Sequence, residues 1–107
     1  MKLLTKAIKA KLEANGSNPD QDYAPVVKLF GGGACTWLLS ELNDDYAFGL
    51  CDLGMGSPEL GYVSIAELES LKFPPFGLGV ERDMSFTGDK PLGQYAQQAR
   101  EAGRIIA

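Results

Sequence analysis

The chain has 107 residues, of which 45% are hydrophobic and 22% charged, and it carries a net charge of −4 with no histidine. That length and apolar content suit one domain with its own core, too apolar for intrinsic disorder and large enough to fold without disulfide or metal staples. The missing imidazole removes the usual general base near neutral pH, the commonest metal ligand, and every histidine-assisted serine or cysteine mechanism.

The N-terminal "MKLLTKAIKAKLEANG" is basic but lacks the apolar core and cleavage site of a secretory signal. Residues 5–14 instead read as a helix stopped by Asn15-Gly16. Leu4, Ala7, Ile8 and Leu12 share its apolar side, and Lys11 intrudes there and must snorkel out or find a carboxylate. After the polar loop "SNPDQDYAP", the stretch 25–30 ("PVVKLF") reads as a strand, Gly31-Gly32-Gly33 as a turn, and 35–42 ("CTWLLSEL") as a second strand.

A third strand follows over 46–53, across a turn at "NDD". With a two-residue hairpin loop, Trp37 and Leu39 are expected to share a face with Phe48 and Leu50, and Cys35 and Cys51 to lie on opposite faces. "ELGYV" (59–63) is a fourth strand. Ser64 then caps a helix over 65–71, with Glu67 completing a capping box and Val63 and Leu68 a hydrophobic staple. Pro74-Pro75 prevents its continuation. "VERDMSF" (80–86) alternates as a fifth strand, with Val80, Arg82, Met84 and Phe86 on one face. Pro91 opens a last helix with the stripe Leu92, Tyr95, Ala96, Ala99, Ala102 and Ile106. The expected fold is α+β: a single domain over 1–107, an antiparallel meander of four to five strands with two to three helices packed mainly on one face.

The glycines of "GLCDLGMGSPELGYVS" (49–64) resemble parts of a phosphate loop, yet they lead into a strand, where a dinucleotide fingerprint opens a helix. The stretch reads as a turn. Its carboxylates raise a further question. Asp52 and Arg82 both fall on apolar faces, where a lone charge costs several kcal/mol, so they are expected to pair with each other or with Glu59 or Lys11. Such a group is either an ion pair fixing register or a polar cleft for a ligand. No basic residue lies between Lys28 and Lys72, whereas Glu41, Asp44, Asp45, Asp52, Glu59, Glu67 and Glu69 do. Phosphate backbones are repelled by that segment, and a protein partner of opposite charge suits it. No apolar run approaches the roughly 20 residues of a membrane span. A cytoplasmic protein with Cys35 and Cys51 as free thiols is expected, without metal or other cofactor.

Together "PVVKLF", "TWLLSEL", "AFGLCDLGMGSPELGYVSIAELESL", "VERDMSF" and "KPLGQYAQQAR" resemble an uncharacterised bacterial domain-of-unknown-function family, number 2958. The resemblance runs from about Met1 to Arg100 and is carried most specifically by "GLCDLG-x-G-x-PELGYVS". It implies a small cytoplasmic bacterial protein associated with plasmids and other mobile elements, and it transfers no catalytic residue. The leading expectation is a non-enzymatic accessory protein that binds another protein, as monomer or homodimer, through Glu41, Asp44, Asp45 and the surrounding sheet surface. A second is a small-ligand or metal-binding enzyme using Asp52, Glu59 and Arg82. A third is a nucleic-acid-associated regulator using Lys2, Lys6, Lys9 and Arg100/Arg104, if the terminal helices lie side by side. Trp37, Phe48, Ser64 and Glu67 are expected to be structural.

Overall fold

In the computed structural model, which describes residues 2–107, the Thr5 hydroxyl accepts the Ile8 amide at 3.1 Å and starts helix α1 (Lys6–Gly16). The strands are β1 (Val27–Gly31), β2 (Cys35–Asn43), β3 (Tyr46–Asp52), β4 (Glu59–Ser64) and β5 (Glu81–Arg82). Helices α2 (Ile65–Ser70) and α3 (Leu92–Ala102) complete the elements. All strands join one antiparallel sheet in the order β4-β3-β2-β1-β5, so a four-strand meander is extended by β5 returning beside β1. This is the expected α+β meander.

Two cores form, one on each side of the sheet. Leu12 of α1 and Ile65 and Leu68 of α2 pack against Val27, Leu29, Trp37, Leu39, Leu42 and Ala47. On the other side, Leu92, Tyr95, Ala96 and Ala99 of α3 cover Leu38 and Leu50. Two helices thus share one face and α3 takes the second. Each buried leucine in these layers contributes roughly 1.5–3 kcal/mol.

The register of β2 against β3 departs from the expected one. The loop between them is Asp44-Asp45, with Asn43 opposite Tyr46, Leu42 opposite Ala47 and Glu41 opposite Phe48. A β-bulge then intervenes, and Leu39 faces Gly49, Leu38 faces Leu50 and Trp37 faces Cys51. The extra residue, Ser40, moves everything before it to the other side. Trp37 and Leu39 therefore face α1, while Phe48 and Leu50 face α3. Cys35 and Cys51, expected on opposite faces, both border the α1 core as free thiols.

The bulge is wedged in place. Ser40 is buried, its carbonyl accepts the Asn15 side-chain amide at 2.9 Å, and its hydroxyl donates to the Phe48 carbonyl at 3.4 Å. A Cβ on Gly49 would stand 2.1 Å from the Leu38 oxygen, and one on Gly16 2.3 Å from the Leu42 oxygen. Asn15-Gly16 is thus the docked last turn of α1, which runs two residues beyond the expected 14, to Gly16, with Ser17 as its C-cap. This contact sets the buried side of α1 at Leu12, Asn15 and Gly16, with Ala7 and Lys11 exposed.

β5 is shorter than its alternation suggests. It pairs only Arg82 with Leu29 and Glu81 with Phe30. Asp83 then turns the chain away by accepting the Ser85 amide at 2.8 Å, leaving Met84 79% exposed. Val80 joins the α1 core and Phe86 the α3 core, so the expected single face is split. Pro91 occupies the N-cap of α3, and the Asp22 carboxylate accepts the Gly93 amide at 3.1 Å. Gly103, at φ 75°, ends α3, so Ala102 and Ile106 fall outside its buried stripe. Among the described residues no helix is long and apolar enough to cross a membrane.

Three alanine substitutions test the wedge. Gly49→Ala is expected to lose about 2–3 kcal/mol, because its methyl meets backbone that has no room to yield. Gly16→Ala is expected to lose stability too, although in an exposed helix it would gain about 1 kcal/mol. Gly61→Ala has open space and no positive φ, and should be neutral or gain about 0.5 kcal/mol. Urea denaturation ranks them, and a Gly49→Ala protein as stable as the parent would contradict the bulge.

Candidate functional site

The sequence gathers Asp52, Arg82 and Glu59 into one group, and the structure separates them. Arg82 pairs with Leu29 on the α1 side and donates from a guanidinium nitrogen to the Leu3 carbonyl. The Leu3 amide in turn donates to Glu69 at 3.1 Å, so both charges fasten the segment ahead of α1. Asp52 is buried on the α3 side. One of its oxygens accepts the Gly54 amide at 2.8 Å and the other the Ile105 amide at 3.0 Å. The expected Asp52–Arg82 pair does not form, because backbone groups satisfy each member from opposite faces of the sheet. Glu59 is exposed at the start of β4, opposite Cys51. The opening glycine-rich stretch is the β3–β4 hairpin, clasped to the segment after α3 by Asp52.

The acidic stretch is partly absorbed by the fold. Asp44 takes the left-handed conformation at φ 54° in the β2–β3 turn and is exposed. Asp45 caps α2: one oxygen accepts the Ala66 amide at 3.0 Å, the other bonds the Ser64 hydroxyl, and its carbonyl accepts the Ile65 amide at 2.9 Å. Ser64 itself accepts the Glu67 amide at 3.2 Å, as its N-cap position predicts. A cleft of about 380 Å³ at this end brings Lys2, Lys6 and Lys9 beside Asp44, Asp45 and Glu69. Opposite charges offset one another there. The terminal helices do not lie side by side, since α1 and α3 pack on opposite faces of the sheet. No three potential metal-ligating side chains gather among the described residues.

Burial perturbs the remaining candidates. Desolvation pushes the Cys51 thiol up to about 11, and burial with the nearby Asp52 charge raises Cys35. Both are protonated, weakly nucleophilic thiols at neutral pH. Glu41, only 8% exposed, has its carboxyl raised by desolvation. It has no ion-pair or hydrogen-bond partner among the described residues. Among the described residues no side-chain polar atom is sealed off unsatisfied, so its oxygens still reach water.

Glu41 belongs to a feature that the sequence reading overlooked. It faces Phe48 across β2–β3, and Phe48 faces Tyr62 across β3–β4. The two rings lie 5.2 Å apart at a 55° tilt. This row is on the α3 side, where α3 covers Leu38 and Leu50 and leaves the β3–β4 end open. Tyr46 is 60%, Leu60 45% and Tyr62 70% exposed. β4 is also an edge strand, with no strand paired along its outer side among the described residues. The available signal was alternation in β4: Leu60 and Tyr62 share one side, and three short helices are too few to cover both faces.

Two substitutions separate scaffold from site. Asp52→Asn replaces one acceptor with a donor that faces a backbone amide, so a loss of about 1–3 kcal/mol is expected in urea denaturation. Glu41→Gln should do the opposite at pH 7. A raised folded-state pKa means that the ionised carboxylate destabilises the fold, so the amide should raise Tm by about 2 °C, as a few tenths of a kcal/mol does in a domain this size. As the pH falls through the folded and then the unfolded pKa of Glu41, the parent takes up the proton and the gain should vanish. Calorimetry across pH 3–7 checks the sign.

Comparison with known proteins places the chain in a family. The model of the family described as "Protein of unknown function (DUF2958)" matches residues 3–106, and the chain belongs to it. Neither the curated proteins nor the solved structures gave a match.

Proposed function

We propose that this family member is a non-enzymatic accessory protein that works by binding another protein along the open β4 end of its sheet. The observation that carries this reading is the coincidence of an unpaired strand edge with exposed Tyr46, Leu60 and Tyr62 on one side of it. Exposed edges are ordinarily blunted by lysine, proline, a bulge or a covering loop. β4 has none of these, and its single charge, Glu59, stands at its first residue. Tyrosines suit a contact surface because they bring apolar area together with a hydroxyl that tolerates water.

The competing readings lose their motivating geometry. The enzyme reading needs Asp52, Glu59 and Arg82 to converge. The nucleic-acid reading needs the lysines of α1 beside Arg100 and Arg104. Neither arrangement forms. The bacterial, cytoplasmic and mobile-element setting belongs to this proposal through the resemblance alone, and the partner is then a protein of the host or of the element itself.

The test is capture from bacterial lysate on the immobilised full chain, with Leu60→Ser/Tyr62→Ser run in parallel. Both side chains lie outside the two cores, so the double variant should melt within about 3 °C of the parent. A protein held by the parent and lost by the variant is the expected result. Identical capture by both would overturn the reading.

A further inference from the structure

We infer that the β3–β4 loop (residues 53–58) and the segment after α3 (residues 103–107) form one latch, which opens and closes as a unit through the Asp52 carboxylate. Neither stretch is helix or strand, so no ladder of backbone bonds holds either one. Each is tied instead to one oxygen of the same side chain, by the Gly54 amide at 2.8 Å and the Ile105 amide at 3.0 Å. Asp52 is 3% exposed. The ion pairs among the described residues, Lys28 with Asp83 and Lys90 with Asp89, do not include it. The two amides therefore stand in for water around a buried carboxylate.

The coupling follows from that shared acceptor. When residues 103–107 lift away, water reaches Asp52 and competes for the oxygen that holds Gly54. The loop then loses part of what keeps it closed. The reverse holds when the loop opens first, because coupling between two sites is reciprocal. The two stretches also approach each other directly, since a Cβ on Gly103 would stand 3.8 Å from the Gly56 oxygen.

The latch is weaker than the layers beneath it. Beyond the Asp52 bond, the segment after α3 is held by Ile105, partly buried against the α3 core, and by the Lys28 ammonium, which donates to the Ala107 carbonyl at 2.8 Å. Arg104, Ile106 and Ala107 are exposed, as are Leu53, Gly54, Met55, Gly56 and Ser57 in the loop. Stretches with so few buried contacts open at less cost than the whole molecule. Asp52 and Leu50 share one side of β3, and Leu50 faces Leu60 across β3–β4. Opening lifts Ile105 from the core layer that continues into Leu60, so the latch borders the β4 edge. This holds whether or not that edge carries a partner.

Amide hydrogen exchange of the full chain, followed by NMR where closing outruns exchange, tests the latch. Gly54 and Ile105 should show protection factors within about threefold of each other, and at least about tenfold below those of Leu38 and Leu50. One variant in each half then separates coupling from coincidence. Ile105→Ala removes the segment's core packing but leaves Asp52 and the Gly54 bond in place, and should lower protection at Gly54 at least about fivefold. Lys28→Met loosens the same segment without touching the core, and should act on Gly54 in the same direction. Gly56→Ala puts a methyl into open space at φ 81°, so it strains the loop alone and should lower protection at Ile105. Gly54 unmoved by both segment variants, or Ile105 unmoved by Gly56→Ala, would mean two independent closures and overturn the inference. Gly54 and Ile105 as well protected as Leu38 would overturn it too, since neither then opens short of global unfolding.

Discussion

One extra residue in β2 determines which side chains meet which helix. Before Ser40 the strand turns Trp37 and Leu39 toward α1; after it, Glu41 joins Phe48 and Tyr62 on the opposite side. Moving a strand by a single position inverts every side chain in it, so a bulge amounts to a controlled slip. Here the slip is held from both sides: Gly49 lets the two strands close around it, and Asn15 takes the carbonyl that the bulge exposes. Without it, the continuous apolar run of β2 would leave a tryptophan and a glutamate competing for the same layer.

Much of this fold is written locally. The two-residue β2–β3 loop, the Ser64 cap and the apolar stripe of α3 each depend on residues within one turn or one hairpin. The order of the elements follows from them. What was not legible depends on partners far along the chain. Asp45 caps a helix that begins twenty residues later, Asp52 answers an amide beyond α3, and Asn15 ends a helix by docking on a strand bulge. Alternation identified "VERDMSF" as extended, yet it carries no information on where a strand runs out of neighbour. It also could not place the bulge, because "WLLSEL" is buried at every position and so has no alternation to break.

The acidic segment shows how composition misleads about surfaces. Seven carboxylates without a counterion suggest an acidic face, but the fold puts them to different uses. Asp45 is a helix cap, Asp52 a clasp between a hairpin and the chain's last segment, and Glu69 a tether for the residues before α1. Glu41 alone is drawn in without an assignment in the fold. A charge that the scaffold does not use is more informative than several that merely face water.

The two edges of the sheet are unequal. β5 pairs over two residues before Asp83 turns the chain aside, whereas β4 runs over six residues and has no strand beside its outer side among the described residues. A molecule with two bare edges is a monomer in the polymer chemist's sense, able to grow a fibre from either end. A molecule with one is a chain terminator. Of the two ends of this sheet, the β4 end alone offers a further strand a place of more than two residues to pair with.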